Sequence, residues 1–341
     1  MKARFIFCTL LVLLLTGCSV LKGNVEAQSG FVFAMDTFVS WTIYHENDCS
    51  KQIEERIHEL ESILSTTDIN SEIHRLNDRK SYVVSSDTRD LLSRSLKLCE
   101  RTDGVLDISI YPIVKAWGFT TGSFHVPSEQ SISQLVKNVN YRKIEYDADS
   151  GAVRLPEEME IDLGSLGKGY VSEQLIQMLK AKGIKSALVN IGGNIQVLGG
   201  KINGEPWLVG LRNPFSDGCA CSLKIKDKAV VTSGGYERYF EEGGVKYCHI
   251  INPNTGIPIE GDLASVTVVG EDAVACDGLS TSLFIMGLEE AEDFWRNSDD
   301  FEAIFITKGG QITITEGLQS TFSLSEAFFG TYVSVLSKNE K

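Results

Sequence analysis

Residues 231–256 read V-T-S-G-G-Y-E-R-Y-F-E-E-G-G-V-K-Y-C-H-I-I-N-P-N-T-G. Two strand-like runs, Glu237–Phe240 and Val245–Asn252, flank the Gly243-Gly244 pair, and such a pair between two β runs predicts a hairpin. A hairpin needs one tight turn. This stretch also carries a Thr-Ser-Gly-Gly turn, an Asn-Pro-Asn-Thr-Gly turn and His249 between them. Local hairpins of this kind, separated by helices, predict an α+β chain and not a series of parallel βαβ units.

The pattern extends in both directions. Upstream, Phe31–Tyr44 alternates as a strand with Met35-Asp36-Thr37 inside it. Ile53, Ile57, Leu60 and Leu64 fall at helical spacing over Ser50–Leu64. Ser71–Leu76 predicts a short helical turn, and Ser86-Asp87-Thr88 caps a helix over Arg89–Arg101. Ser131–Val139 predicts a further helix, and Ile144–Tyr146 with Ala152–Leu155 a hairpin. Ile161–Lys168 reads as a glycine-rich loop leading into a helix over Val171–Lys180. Ser186–Ile191, Gln196–Leu198, Trp207–Leu211, Ala229–Thr232 and Leu263–Val269 are strand-like. Helices are expected at Ala273–Met286 and Leu288–Asn297, and a last hairpin at Ala303–Thr307 and Gln311–Thr315.

The beginning of the chain indicates where it is delivered. A basic Met1-Lys2-Ala3-Arg4, an apolar run over Phe5–Leu15 and the small-residue sequence Leu15-Thr16-Gly17-Cys18 describe a signal peptide over residues 1–17. The apolar run is too short to span a bilayer. Small residues just before Cys18 resemble a lipoprotein lipobox, which makes Cys18 the expected lipidation site. Residues 18–30 form a polar tether. The expected location is outside the cytoplasm on a membrane anchor, and Ser19 suits the periplasmic side of a double-membrane envelope. The rest is long enough for one large domain or two intimately packed subdomains, taken together as 31–335.

The 341-residue chain carries a formal charge of −14, which argues against nucleic-acid binding. An anionic ligand would need a local cation to enter. The eight cysteines show no CxxC pairs at zinc spacing. Cys219-x-Cys221 reads as a loop feature, and the remaining thiols as small buried hydrophobes.

Three groups of residues can carry chemistry. In Ile161-Asp162-Leu163-Gly164-Ser165-Leu166-Gly167-Lys168-Gly169-Tyr170, glycines lead into a helix N-terminus and Lys168 supplies positive charge, an arrangement suited to an anion. The spacing is neither that of a dinucleotide fingerprint nor of a P-loop, and a plain strand-to-helix connection reads equally well. Asp277 and Thr281 lie four apart, on one face of a helix. That face is either solvated or a pair of hard oxygen ligands suited to Mg²⁺. His249, one of five histidines, is either structural or a base.

The succession A-M-D-T-F, L-S-T-T-D-I-N-S-E-I-H-R-L-N, D-G-V-L-D-I-S-I-Y-P-I-V-K-A-W-G-F, I-D-L-G-S-L-G-K-G-Y, V-N-I-G-G-N-I, T-S-G-G-Y-E-R, H-I-I-N-P-N-T-G, S-V-T-V and D-G-L-S-T-S-L-F-I-M-G resembles the FAD:protein FMN transferases, the ApbE family. The blocks run from about Phe31 to the last hairpin, in the family's order. The resemblance implies an α+β, T-fold-related architecture of mixed antiparallel sheets with packed helices. It implies Mg²⁺-dependent transfer of FMN from FAD to a threonine hydroxyl of a target flavoprotein through a phosphoester, with release of AMP. Implied acceptors are exported flavoproteins such as subunits of Rnf- and Nqr-type redox pumps. Carried over by motif, Met35, Thr67, Val105, Leu106, Asp107, Asp162, Lys168 and Ile251 would contact FAD. Ser165, Asp277 and Thr281 would hold Mg²⁺, and His249 would lie beside the pyrophosphate as a base or orienting group.

Four positions depart from the family's commonest pattern. Asp36 stands where Gly is frequent, Thr67 where some members carry an aromatic residue, and Asn252 where Asp is frequent before Pro253. Ser165 replaces a small apolar residue, so its carbonyl rather than its hydroxyl is the expected ligand. Two other activities fit the same residues: hydrolysis of FAD to FMN and AMP, with water as the nucleophile, and flavin binding without catalysis.

Overall fold

The computed structural model describes residues 26–328 and 330–339. The expected signal peptide and Cys18 lie outside the described residues. The first strand begins at Ala27, so Ala27–Gly30, expected in the tether, belong to the folded sheet.

In chain order the N-terminal half contains β1 (Ala27–Ala34), β2 (Thr37–Tyr44), α1 (Ser50–Leu64), α2 (Glu72–Arg79), β3 (Ser81–Val83), α3 (Ser86–Arg101), α4 (Tyr111–Ala116), α5 (Glu129–Val136), β4 (Glu145–Tyr146), β5 (Ala152–Arg154) and α6 (Gly164–Ala181). There follow β6 (Ala187–Ile191), β7 (Asn194–Leu198), β8 (Trp207–Arg212), β9 (Cys219–Ile225), β10 (Ala229–Gly234), β11 (Tyr239–Glu242), β12 (Val245–Cys248), β13 (Leu263–Gly270), α7 (Ala273–Met286), α8 (Leu288–Arg296), β14 (Phe301–Thr307), β15 (Ile312–Thr315), β16 (Phe322–Leu324) and β17 (Val333–Leu336).

One nine-stranded sheet organises them, in the order β1-β2-β6-β7-β10-β13-β14-β15-β17. Its ladders are antiparallel except for the last pair, β15 with β17. The helices α1, α3, α6 and α7 cover one face around the main apolar core. The three-stranded sheet β16-β9-β8 covers the other. A third cluster, with Trp117, Phe119, Phe240 and Ile251, joins α4 and α5 to the β11–β12 hairpin. Among the described residues no helix is long and apolar enough to cross a membrane.

Three local departures from the sequence expectations position the site. The single strand expected over Phe31–Tyr44 is a hairpin whose turn is Met35-Asp36, both at positive φ (53° and 56°). Two left-handed residues make the turn whose twist matches antiparallel strands. The usual Asn or Gly markers are missing, and a Met in this region is strained. The expected glycine loop is instead the opening of α6, which starts at Gly164 and holds Gly167, Lys168 and Gly169 in its first turns. The expected loop around Cys219 and Cys221 is strand β9, paired with β8 through a register shift at Leu211/Arg212. Cys219 is exposed and the other five described cysteines are buried; all six are free thiols.

Helices α6 and α7 meet closely because glycines line the crossing. A Cβ on Gly169 would lie 2.3 Å from the Ala273 carbonyl oxygen of α7, and Gly278 of α7 gives the same close approach to α3, where a Cβ would lie 2.3 Å from Leu98 Cδ2. Helix α7 is apolar on nearly all sides, as a core helix must be, so Asp277 within it is only 4% exposed.

Candidate active site at the α6–α7 crossing

Asp277 lies on α7 where the first turns of α6 pass over it. Its Oδ2 accepts the Gly169 N–H at 2.8 Å. In a regular helix that N–H has the carbonyl four residues back, that of Ser165, as its acceptor. The Ser165 carbonyl and the Asp277 carboxylate therefore converge on one amide. One turn along α7, Thr281 shares the Asp277 face. Its hydroxyl is 3.2 Å from Ser233 Oγ, which is 2.8 Å from Ser280 Oγ. A carboxylate, a main-chain carbonyl and a hydroxyl are the hard-oxygen set that a Mg²⁺ ion takes when a phosphate supplies the rest. Among the described residues no three His, Cys, Asp or Glu side chains gather into a metal cluster, so a cation here depends on neutral oxygens and on its ligand.

Burial dominates the electrostatics. It pushes the Asp277 carboxyl up to about 6, against the opposing pull of Lys168, the Gly169 N–H and the Asn194 amide. A carboxylate in so dry a place is under-compensated and favours a bound cation. Lys168, in the second turn of α6, acts on three groups at once: Asp277, Glu237 and His249. Glu237 is also held above its ordinary range by burial.

His249 directly follows β12. Its main-chain N–H donates to the Arg238 carbonyl at 3.0 Å, and its Nδ1 lies 3.2 Å from the same oxygen. A ring nitrogen facing a carbonyl must carry the hydrogen, which leaves the Nε2 lone pair free. Burial lowers the imidazole to about 4, with Arg238 and Lys168 adding to the effect. The ring is therefore neutral, and an acceptor, across the neutral range. Phe119 packs edge-on to it, 6.5 Å between centroids, and the Arg238 guanidinium donates to the Phe119 carbonyl at 3.0 Å.

The remaining expected ligand contacts fall into two groups. Met35 Cε reaches α6, 3.7 Å from where a Cβ on Gly167 would stand. Asp162 precedes α6 and accepts the Gly164 N–H at 2.8 Å; burial raises its pKa against that bond and Arg238. These two border the α6 N-terminus. By contrast, Asp107 is buried, with its oxygens taken by the Ser109 N–H and hydroxyl and the Tyr141 N–H. Leu106 and Ile251 are buried in apolar clusters. Any ligand contact from these three is made by main chain. Val105 is half-buried, and Thr67 is exposed in the turn after α1, within hydrogen-bond reach of Ser65.

Arg238, Glu237 and Asn194 also border the site, and the sequence reading singled out none of them. Arg238 and Glu237 sit between two turns, where charged residues are ordinary. Asn194 lay just before the strand expected at Gln196–Leu198. Extending period-2 alternation back two residues would have placed it on the core face.

A helix N-terminus, a lysine, an arginine, a neutral imidazole and a buried carboxylate are the chemistry of a site suited to a phosphate-bearing ligand. Comparison with known proteins makes the class specific. Residues 35–305 match the ApbE family, and the chain belongs to that family. It is 31% identical over 285 residues to the FAD:protein FMN transferase of Klebsiella pneumoniae (strain 342), covering 82% of this chain and 88% of that one. The crystal structure of the ApbE protein from Thermotoga maritima superposes with a TM-score of 0.80 at 29% identity, over 89% of this chain and 98% of that one. The apo flavinyl transferase ApbE of Pseudomonas stutzeri gives 0.76 at 26% identity, over 89% and 96%. The expected α+β fold with antiparallel sheets and packed helices is the observed one.

Proposed function

We propose that this protein is an FAD:protein FMN transferase that moves FMN from FAD to a threonine hydroxyl of an acceptor flavoprotein, with Mg²⁺, releasing AMP. The observation that carries the proposal is the meeting of Lys168, His249 and Asp277 at the opening of α6, in a chain of this family. Ser165, through its carbonyl, Asp277 and Thr281 would hold the ion. When bound, Mg²⁺ supplies charge neutralisation at the pyrophosphate oxygens, which lowers the repulsion met by an incoming hydroxyl.

The chain's own groups supply the remainder. The α6 N-terminus and Lys168 hold the pyrophosphate, and Met35, Asp162 and the main chain near Val105 and Ile251 hold the flavin and adenosine. A new bond forms between the acceptor oxygen and the FMN phosphorus. The bridging phosphorus–oxygen bond breaks, its electron pair leaving with AMP. His249 Nε2 accepts the hydroxyl proton. Its lowered pKa keeps it free to do so, and the approach of the anionic pyrophosphate raises its basicity when it is needed. Catalysis of this kind is mainly positioning and electrostatics. The proposal includes lipidation at Cys18, a membrane anchor outside the cytoplasm, and exported acceptors of the kind found in Rnf- and Nqr-type pumps.

The test is incubation with FAD and Mg²⁺, with and without an acceptor peptide. Faster AMP release with acceptor, and FMN on the peptide, are expected. Equal AMP release in both arms, with FMN left free, would make the enzyme a hydrolase.

The Asp277 pKa adds a pH signature. The folded-state value, about 6, lies above the ordinary 3.8. A raised carboxyl contributes stability below its ordinary pKa and loses it as pH rises through the folded value. The ion-free protein should therefore lose melting temperature from about pH 4 through about pH 6. Added Mg²⁺ should restore it, with a shift that grows across that window. A Mg²⁺-induced shift of equal size on both sides of the window would contradict the assignment.

A further inference from the structure

Strand β7 begins at Asn194, immediately after the Gly192-Gly193 turn. Directly across the ladder it pairs with Ile191, a fully buried residue of the main core. Cross-strand partners share a face, so the Asn194 side chain points into the layer where α6 and α7 cross. It is 1% exposed. Neither its Nδ2 nor its Oδ1 has a hydrogen-bond partner. A buried carboxamide with all of its bonding capacity unused is rare and calls for a reason. Its neighbour supplies one. The amide lies beside the Asp277 carboxylate, close enough to act on it, yet without forming a regular hydrogen bond. Asp277 has one firm donor, the Gly169 N–H on Oδ2.

We infer that Asn194 is a positioning residue for Asp277: with a divalent cation bound, its Nδ2 donates to the carboxylate and holds it on the ion. The inference rests on the Mg²⁺ reading of Asp277 given above. A carboxylate that turns one oxygen to a cation needs a donor for the other, and ligands without such support bind about 10–100-fold more weakly. Asn194 stands ready in the ion-free protein at the position where that donor is required. The unused amide is then an idle contact that the ion completes. The same contact explains why a polar side chain is tolerated on the core face of β7, beside Ile191 across the ladder and on the face that Leu198 shares further along the strand.

The test is Mg²⁺ titration by calorimetry on the mature chain, which needs no turnover. Asn194→Ala should weaken Mg²⁺ binding about 10–100-fold. Its ion-free melting temperature should not fall, because an unpaired polar group has been removed. Asn194→Leu keeps the volume and lacks the amide, so it should show the same loss and covers the case in which the alanine variant packs poorly. A folded variant that binds Mg²⁺ as wild type does would overturn the role of Asn194 alone. A wild-type protein that binds no Mg²⁺ would overturn both this inference and the cation reading beneath it.

Discussion

Asp277→Ala is expected to lower FMN transfer by about 10²–10³-fold, the usual effect of removing one preorganised electrostatic contact to the reacting group, while leaving the fold intact. The two halves of this expectation have one cause. Asp277 is almost wholly buried, and burial holds its carboxyl well above the ordinary range. Removing an under-compensated charge relieves a cost, so the folded state has no reason to suffer. The reaction loses the carboxylate that accepts the Gly169 N–H and shares a helix face with Thr281. Asp277→Asn separates charge from shape. It keeps an oxygen for the Gly169 N–H, and should be nearly as inactive as the alanine variant. Measured at saturating FAD and acceptor, with circular dichroism as the control for folding, wild-type turnover in either variant would remove Asp277 from the reaction.

His249→Ala is expected to slow transfer by about 10²-fold or more, the range of a positioned general base, with a much smaller effect on FAD affinity. The geometry predicts that split. The ring is fixed by the Arg238 carbonyl at Nδ1 and by its edge-to-face contact with Phe119, so Nε2 is its one unengaged polar atom. It is uncharged above about pH 4, so it adds little to holding an anion; in the proposed mechanism that falls to Lys168 and the helix N-terminus. A residue whose contribution appears in the transition state lowers kcat and leaves binding alone. Stopped-flow transfer rates and flavin-fluorescence titrations measure the two quantities separately. An unchanged rate would make His249 part of the aromatic wall and no more.

How far the sequence reached into this site depended on the kind of signal. Helix α7 was legible with its bounds because its apolar run has no alternative. Asp277 and Thr281 fell on one face by spacing alone. The Gly243-Gly244 hairpin was legible because only a tight turn explains adjacent glycines between two β runs. The start of α6 was not, because glycines weaken helix propensity and read as a loop. Tertiary packing overrides that propensity: Gly169 is required by the Ala273 carbonyl of the crossing helix, a long-range contact with no local trace. The Met35-Asp36 turn was hidden for the opposite reason, since its residues are not those that ordinarily mark left-handed backbone. Strand β9 has no clean sequence signature because a bulge breaks its alternation at Cys219-x-Cys221. The role of Asn194 carries no sequence signal, since its meaning comes from what it lacks, a hydrogen-bond partner, and no sequence pattern records that.

The central claim is that FAD is cut at its pyrophosphate and the flavin half is carried to a hydroxyl of another protein. Intact-protein and peptide mass spectrometry of an acceptor flavoprotein co-expressed with this enzyme tests it most directly. The account predicts an acceptor bearing one covalently attached FMN on a threonine, absent when Asp277→Ala replaces the wild type. An acceptor that remains unmodified beside the folded wild-type enzyme, with FAD and Mg²⁺ in excess, would contradict it.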